Sequence, residues 1–290
     1  MGGGARAGYP AVFTRTSAIR DWVYEQTGGD PYALPSAIEG VGGIVSGLLT
    51  KEGVKNAASF APGAAPEAIV SLFGRQLARN TSAAHGRPLP LRQAGVRIEI
   101  IDSSETAYPA QLFYAGREQV NFLMPAEAAT GEALLRLTRE GEEPAELELT
   151  IGAVAPGLFS ANGTGEGIGA ITAHRVGADG ARSKPAVFRH DAATGRMIGV
   201  PLELGDEDDQ VFLTLFGTGI RGAGGAEKVQ ATIGGRRVPV MFAGEQAGRL
   251  GGLDRVEIGP LPRSLEGAGE VNVTVTAAGI TSNPVTIVIE

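Results

Sequence analysis

Cysteine is absent from the 290 residues, so neither a disulfide nor thiolate chemistry can contribute, and the redox compartment stays open. Histidine occurs three times, as His85, His174 and His190, in unrelated segments without metal-ligand spacing, so no zinc site is expected. Lys and Arg form no cluster and the formal net charge is −7, which argues against nucleic acid as a partner, because neutralising phosphates takes grouped cations. Long apolar runs are also lacking. The most apolar stretch, Val41 to Leu49, has nine residues interrupted by Gly42, Gly43 and Gly47; a bilayer span needs roughly 20. The N-terminal Met1-Gly2-Gly3-Gly4-Ala5-Arg6 has no apolar core of a signal peptide, so export by that route is not expected of the chain as written.

Glycine, by contrast, is abundant at 44 residues, with 17 prolines, and few segments show helical periodicity, which predicts many short strands joined by tight turns. One stretch returns. Ile69-Val70-Ser71-Leu72-Phe73-Gly74 is echoed by Val211-Phe212-Leu213-Thr214-Leu215-Phe216-Gly217, an offset of 143 residues (216 − 73). Phe113-Tyr114-Ala115-Gly116 and Gln119-Val120-Asn121-Phe122 follow the first copy; Met241-Phe242-Ala243-Gly244 and Arg255-Val256-Glu257-Ile258 follow the second. Both copies close on alternating strands, Leu147 to Ile151 and Val285 to Ile289. A period this long is read as two similar domains in tandem. About seven short strands in roughly 100 residues is the count of an immunoglobulin-like sandwich. The expected fold is therefore all-β, two tandem immunoglobulin-like β-sandwiches over residues 54–152 and 153–290, with a linker over 28–53.

Residues 1–27 differ. Pro10 to Arg15 reads as a strand, and Ser17 caps a short helix that places Ile19, Trp22 and Val23 on one face before Gly28-Gly29 stops it. Gly2-Gly3-Gly4-Ala5, Pro10-Ala11-Val12-Phe13-Thr14-Arg15-Thr16-Ser17 and Asp21-Trp22-Val23 resemble the C-terminal end of a trypsin-like serine protease. That resemblance makes Gly2, Gly4 and Ala11 remnants of a substrate pocket. Gly4 stands where that family usually has cysteine, and Ala11 stands where it has a pocket-wall glycine. The family's histidine, aspartate and Gly-Asp-Ser-Gly-Gly nucleophile would all precede Met1, so no catalytic residue and no acyl transfer is expected of this chain.

Residues 54–290 resemble a second family. Asn56-Ala57-Ala58-Ser59-Phe60, Ile69 to Gly74, Gln119 to Pro125, Ala155-Pro156-Gly157-Leu158-Phe159, Phe216-Gly217-Thr218-Gly219-Ile220 and Ile280-Thr281-Ser282-Asn283-Pro284-Val285 are similar to a C-terminal domain of acidobacterial extracellular proteins in the IPT/TIG immunoglobulin-like group. The resemblance implies a secreted, non-catalytic accessory or adhesion module with no cofactor, facing a protein or polysaccharide surface. Within the second copy, Gly244 to Gly252 lengthens a turn. The rival reading is the C-terminal fragment of a secreted serine endopeptidase.

The remaining motifs have plain structural readings. Asp206-Glu207-Asp208-Asp209 lacks the spacing and glycine of a calcium loop and reads as a solvated acidic turn. Gly163 to Gly169 is crowded with glycine like a phosphate loop, yet no Lys-Ser/Thr follows, so a β-turn is expected. Three sequons begin at Asn80, Asn162 and Asn272, the last inside an expected strand. Tyr108, Phe113, Tyr114 and Phe242 are expected mainly in the core.

Overall fold

The computed structural model of the chain describes residues 49–84, 88–248 and 251–290. The expected strand and helix over 1–27, with Gly2, Gly4 and Ala11, the linker as far as residue 48, and His85 all lie outside the described residues. The first strand begins at Leu49, five residues before the β pattern was expected to start. It can do so because a bulge separates the Leu49↔Gly74 and Val54↔Leu72 pairs, and Gly53, lacking Cβ, lets the Phe73 carbonyl close in.

Nine strands make the first unit: β1 (Leu49–Asn56), β2 (Ile69–Gly74), β3 (Ser82–Ala83), β4 (Val96–Ile101), β5 (Ala107–Pro109), β6 (Gln111–Ala115), β7 (Gln119–Leu123), β8 (Gly131–Arg139) and β9 (Ala145–Ile151). They form two antiparallel sheets, β1-β2-β7-β6-β3 and β5-β4-β8-β9. Alternation in sequence becomes alternation in burial: along β4 Val96, Ile98 and Ile100 are buried while Arg97 and Glu99 are half-exposed. Val70, Leu72, Val120 and Phe122 meet them from the facing sheet, closing one apolar core.

The second unit adds β10 (Gly157–Leu158), β11 (Ile171–Val176), β12 (Arg182–Ser183), β13 (Phe188–Asp191), β14 (Arg196–Gly199), β15 (Gln210–Thr218), β16 (Val229–Ile233), β17 (Arg236–Val238), β18 (Val240–Glu245), β19 (Asp254–Ile258), β20 (Gly269–Ala277), β21 (Ile280–Thr281) and β22 (Val285–Ile289). One sheet runs β12-β11-β15-β19-β18 with β10 on the end of β15, and the other runs β17-β16-β20 with β21 and β22 both on β20. Strands β13 and β14 form a separate hairpin. Strand β11 starts only at Ile171, because the glycine loop before it continues through Gly167 at φ +75°.

The two units pair their strands alike. Phe73 faces Gln119 across β2 and β7, and Phe216 faces Arg255 across β15 and β19. The β6–β7 ladder skips a residue between Leu112 and Tyr114, and the β18–β19 ladder does so between Val240 and Phe242. In each unit the chain also changes sheets at a proline. Val238 to Phe242 alternates like one strand but is split at Pro239: β17 pairs with β16 in one sheet and β18 with β19 in the other. Proline has no N–H to continue a ladder. Pro109, the last residue of β5, marks the same crossing in the first unit.

The units are joined by buried polar contacts. Asn56, at the end of β1, donates through Nδ2 to the Ala155 carbonyl at 2.7 Å, and its Oδ1 accepts from the Ala58 and Ser59 N–H groups at 2.8 and 3.1 Å. The Ile69 N–H donates to Thr218 Oγ1 at 2.8 Å, whose hydroxyl donates to the Gly252 carbonyl at 2.6 Å. Arg221 donates from Nε to the fully buried Asp254 at 2.6 Å and from Nη1 to Glu67 of the first unit at 3.1 Å. Ile69, Phe113 and Tyr114 of the first unit belong to the core cluster of the second.

Candidate binding cleft

The outer face of the β11-β15-β19-β18 sheet is built by three strands that alternate. Ile171, Ala173, Val211, Leu213, Leu215, Val256 and Ile258 go to the core, which leaves Thr172, His174, Phe212, Thr214, Arg255 and Glu257 half-buried on the other side. Register brings them into rows. His174 sits opposite Phe212 and Thr172 opposite Thr214; Thr214 in turn faces Glu257, and Phe216 faces Arg255. The segment Lys184 to Phe188 forms one wall, and with Thr172, His174, Thr214, Arg255 and Glu257 it lines a cleft of about 380 Å³; Phe212 lies behind His174, outside the lining.

Two stacked pairs flank the polar middle row. The imidazole of His174 lies on the Phe212 ring, with centroids 5.1 Å apart and planes 11° from parallel. On the other side the Arg255 guanidinium lies 4.5 Å from the Phe242 ring centroid. Gly244, opposite Arg255 in the ladder, leaves the space that the Phe242 ring occupies: a Cβ there would stand 3.2 Å from the ring tip. Arg255 also pairs with Glu257 at 3.1 Å. Between the flat groups stand two hydroxyls and a carboxylate. Such a floor can exchange hydrogen bonds with a polyhydroxylated ligand, beside the two members of the stacks that line the cleft, His174 and Arg255.

Of the candidate site residues and aromatics singled out in sequence, His174 lines this cleft, as do Phe216, Arg255 and Glu257 of the repeated motifs; Phe242, expected mainly in the core, is instead half-buried beneath Arg255. Phe113 and Tyr114 are buried, as expected of core aromatics, and Tyr108 packs on the first core. His190 is on the β13–β14 hairpin, with a buried Nε2 that has no partner. The acidic run is a turn: Asp209 accepts from the Ala178 and Asp206 N–H groups, both at 3.3 Å, and Arg263 donates to the Gly205 and Asp209 carbonyls. Among the described residues no three His, Asp or Glu side chains gather to hold a metal. The glycine-rich loop is organised by Ser160, whose Oγ accepts from the Thr164 and Gly165 N–H groups, and by Asn283, which donates to the Gly165 carbonyl at 2.7 Å. Of the sequon asparagines, Asn80 and Asn162 lie in exposed turns and Asn272 is exposed within β20.

A second, smaller cleft of about 280 Å³ lies on the first unit between Lys51, Glu132 and Glu148. Two of its charged residues, Lys51 and Glu148, already answer each other in an exposed ion pair at 2.9 Å. No helix among the described residues is long and apolar enough to cross a membrane.

No protein family matches the chain, and no curated protein matches it. Among solved structures, the chain is similar to a Bacteroides ovatus SGBP-B protein of a mixed-linkage glucan utilization locus, solved with a mixed-linkage heptasaccharide. Identity is 12%, covering 79% of this chain and 43% of that one, with a TM-score of 0.29. DIP-gamma IG1+IG2 is similar at 10% identity, 82% and 94% coverage and a TM-score of 0.20. Murine CEACAM1b is similar at 11% identity, 79% and 96% coverage and a TM-score of 0.18. The chain thus spans less than half of the glucan-utilization protein, and likenesses this distant carry no functional argument; the all-β sandwich fold stands on its strand pairings.

Proposed function

We propose that the chain is a non-catalytic, extracellular accessory module that holds carbohydrate in the cleft on the outer face of the β11-β15-β19-β18 sheet. The observation that carries this reading is the cleft's polar floor, Thr172, Thr214 and Glu257, set between the His174–Phe212 and Arg255–Phe242 stacks. Sugars present hydroxyls around the ring edge, and this floor offers hydrogen-bond partners for them, beside His174 and Arg255. The extracellular setting is supported by the resemblance of residues 54–290 to secreted bacterial modules.

The test is affinity electrophoresis of the intact chain through gels containing a broad panel of soluble polysaccharides, beside Thr214→Trp. Thr214 is outward-facing and half-buried, so an indole there fills the cleft without entering the core. Retardation of the parent on at least one glycan, lost in T214W, is the expected result. Free migration in every gel, or equal retardation of both proteins, overturns the reading.

A further inference from the structure

We infer that the sugar taken by this cleft carries a carboxylate, making the ligand class a uronic-acid glycan; the inference rests on the carbohydrate reading above. The cleft is lined by Arg255, Lys184 and His174 but by a single acid, Glu257. Glu257 is already answered by Arg255 Nη1 at 3.1 Å. The Nε of Arg255 is enclosed, so a ligand can meet only the outer nitrogens of this partly exposed guanidinium. Among the described residues Glu257 is its one ion-pair partner, which leaves outer N–H donors for a ligand carboxylate.

The group is held ready for such a partner. Stacking on Phe242 fixes its plane, and Arg255 is 34% exposed, so the ligand finds an ordered donor and spends little on ordering it. Lys184, exposed at the rim, has no carboxylate partner among the described residues and adds a second positive charge to the cleft. The chain as a whole carries −7, so its overall charge does not attract polyanions. Recognition is of one carboxylate at one place.

Isothermal titration of the intact chain with polygalacturonate, the same polymer fully methyl-esterified, a neutral β-glucan and dextran sulfate separates the outcomes. The expected result is binding of polygalacturonate at least tenfold tighter than of its methyl ester or the neutral glucan. Arg255→Gln and Lys184→Gln should each erase most of that preference. K184Q changes an exposed side chain on a connecting segment, so its result does not depend on folding. Equal binding of acidic, esterified and neutral polymers overturns the carboxylate inference and leaves the carbohydrate reading standing. Binding of dextran sulfate without polygalacturonate overturns it too, and no binding to any polymer overturns both.

Discussion

Asn56 shows how much a single side chain can organise here. It is 3% exposed, and its amide answers four backbone groups, two N–H donors of its own turn and the Ala155 and Thr218 carbonyls of the next unit. Asn56→Ala leaves those groups buried without partners, at about 1–3 kcal/mol for each unsatisfied group, so a loss of about 2–4 kcal/mol in urea unfolding is expected; a loss below about 0.5 kcal/mol would refute the assignment. Asp102 is the corresponding pin of the first unit. The Ser104 hydroxyl first, then the Ala129 N–H and the Ser104 and Thr106 N–H groups, hold its carboxyl down at about 2. Its unfolded value is about 3.9. Because the folded value is the lower one, its stabilisation is complete above about pH 4 and is lost as pH falls through about 2. Unfolding measured from pH 5 to pH 2 should show a steeper loss in the parent than in Asp102→Asn, and identical slopes would remove Asp102 from the account. In sequence, Asn56 stands out only as part of a resemblance, and Asp102 as the start of a polar turn. What a buried amide clasps is decided by chain 99 residues away.

At the scale of elements, alternation along the chain carried many of the strands, and the motifs holding Phe73 and Phe216 showed that the two halves resemble each other, but which strands pair was not legible. The cleft was not visible that way. Thr172, Thr214 and Glu257 are ordinary outward residues on strands far apart in sequence, and only the register sets them side by side. The Gly244 to Gly252 insertion was visible as a lengthened turn, and its role comes from where it lies. The first unit joins β6 to β7 through residues 116–118, whereas the β18–β19 connection runs from 246 to 253 and reaches the first unit. Gly252, at φ +78°, is so close there that a Cβ would stand 2.7 Å from both Ile69 and Leu123 side chains. Gly252→Ala therefore meets a left-handed backbone and a clash together. A loss of about 1–3 kcal/mol is expected from the backbone strain alone, measured by thermal unfolding, and a neutral result would mean that this connection does not press on the first unit.

For the whole molecule, the consequence is mechanical unity. Two sandwiches joined only by a tether would unfold independently, but here Ile69, Phe113 and Tyr114 complete the second core, and Arg221 ties Glu67 of one unit to Asp254 of the other. Burial pushes the Asp254 carboxyl up, although Arg221 stands beside it and the Ile220 and Arg221 N–H groups bond to it. The carboxylate thus depends on its partner. Arg221→Met strands a buried charge, a change that costs about 3–5 kcal/mol when one member of such a pair is removed. It also deletes the link to Glu67. Scanning calorimetry of the parent should give one transition over residues 49–290, and R221M should melt lower and split into two, as the first unit no longer shares the fate of the second. Adding Asp254→Asn to R221M should recover part of the melting temperature by removing the stranded charge, while the two transitions stay apart. A parent that already melts in two separate steps would show that the junction contacts do not couple the sandwiches, and the cleft would then belong to a unit that folds and binds alone.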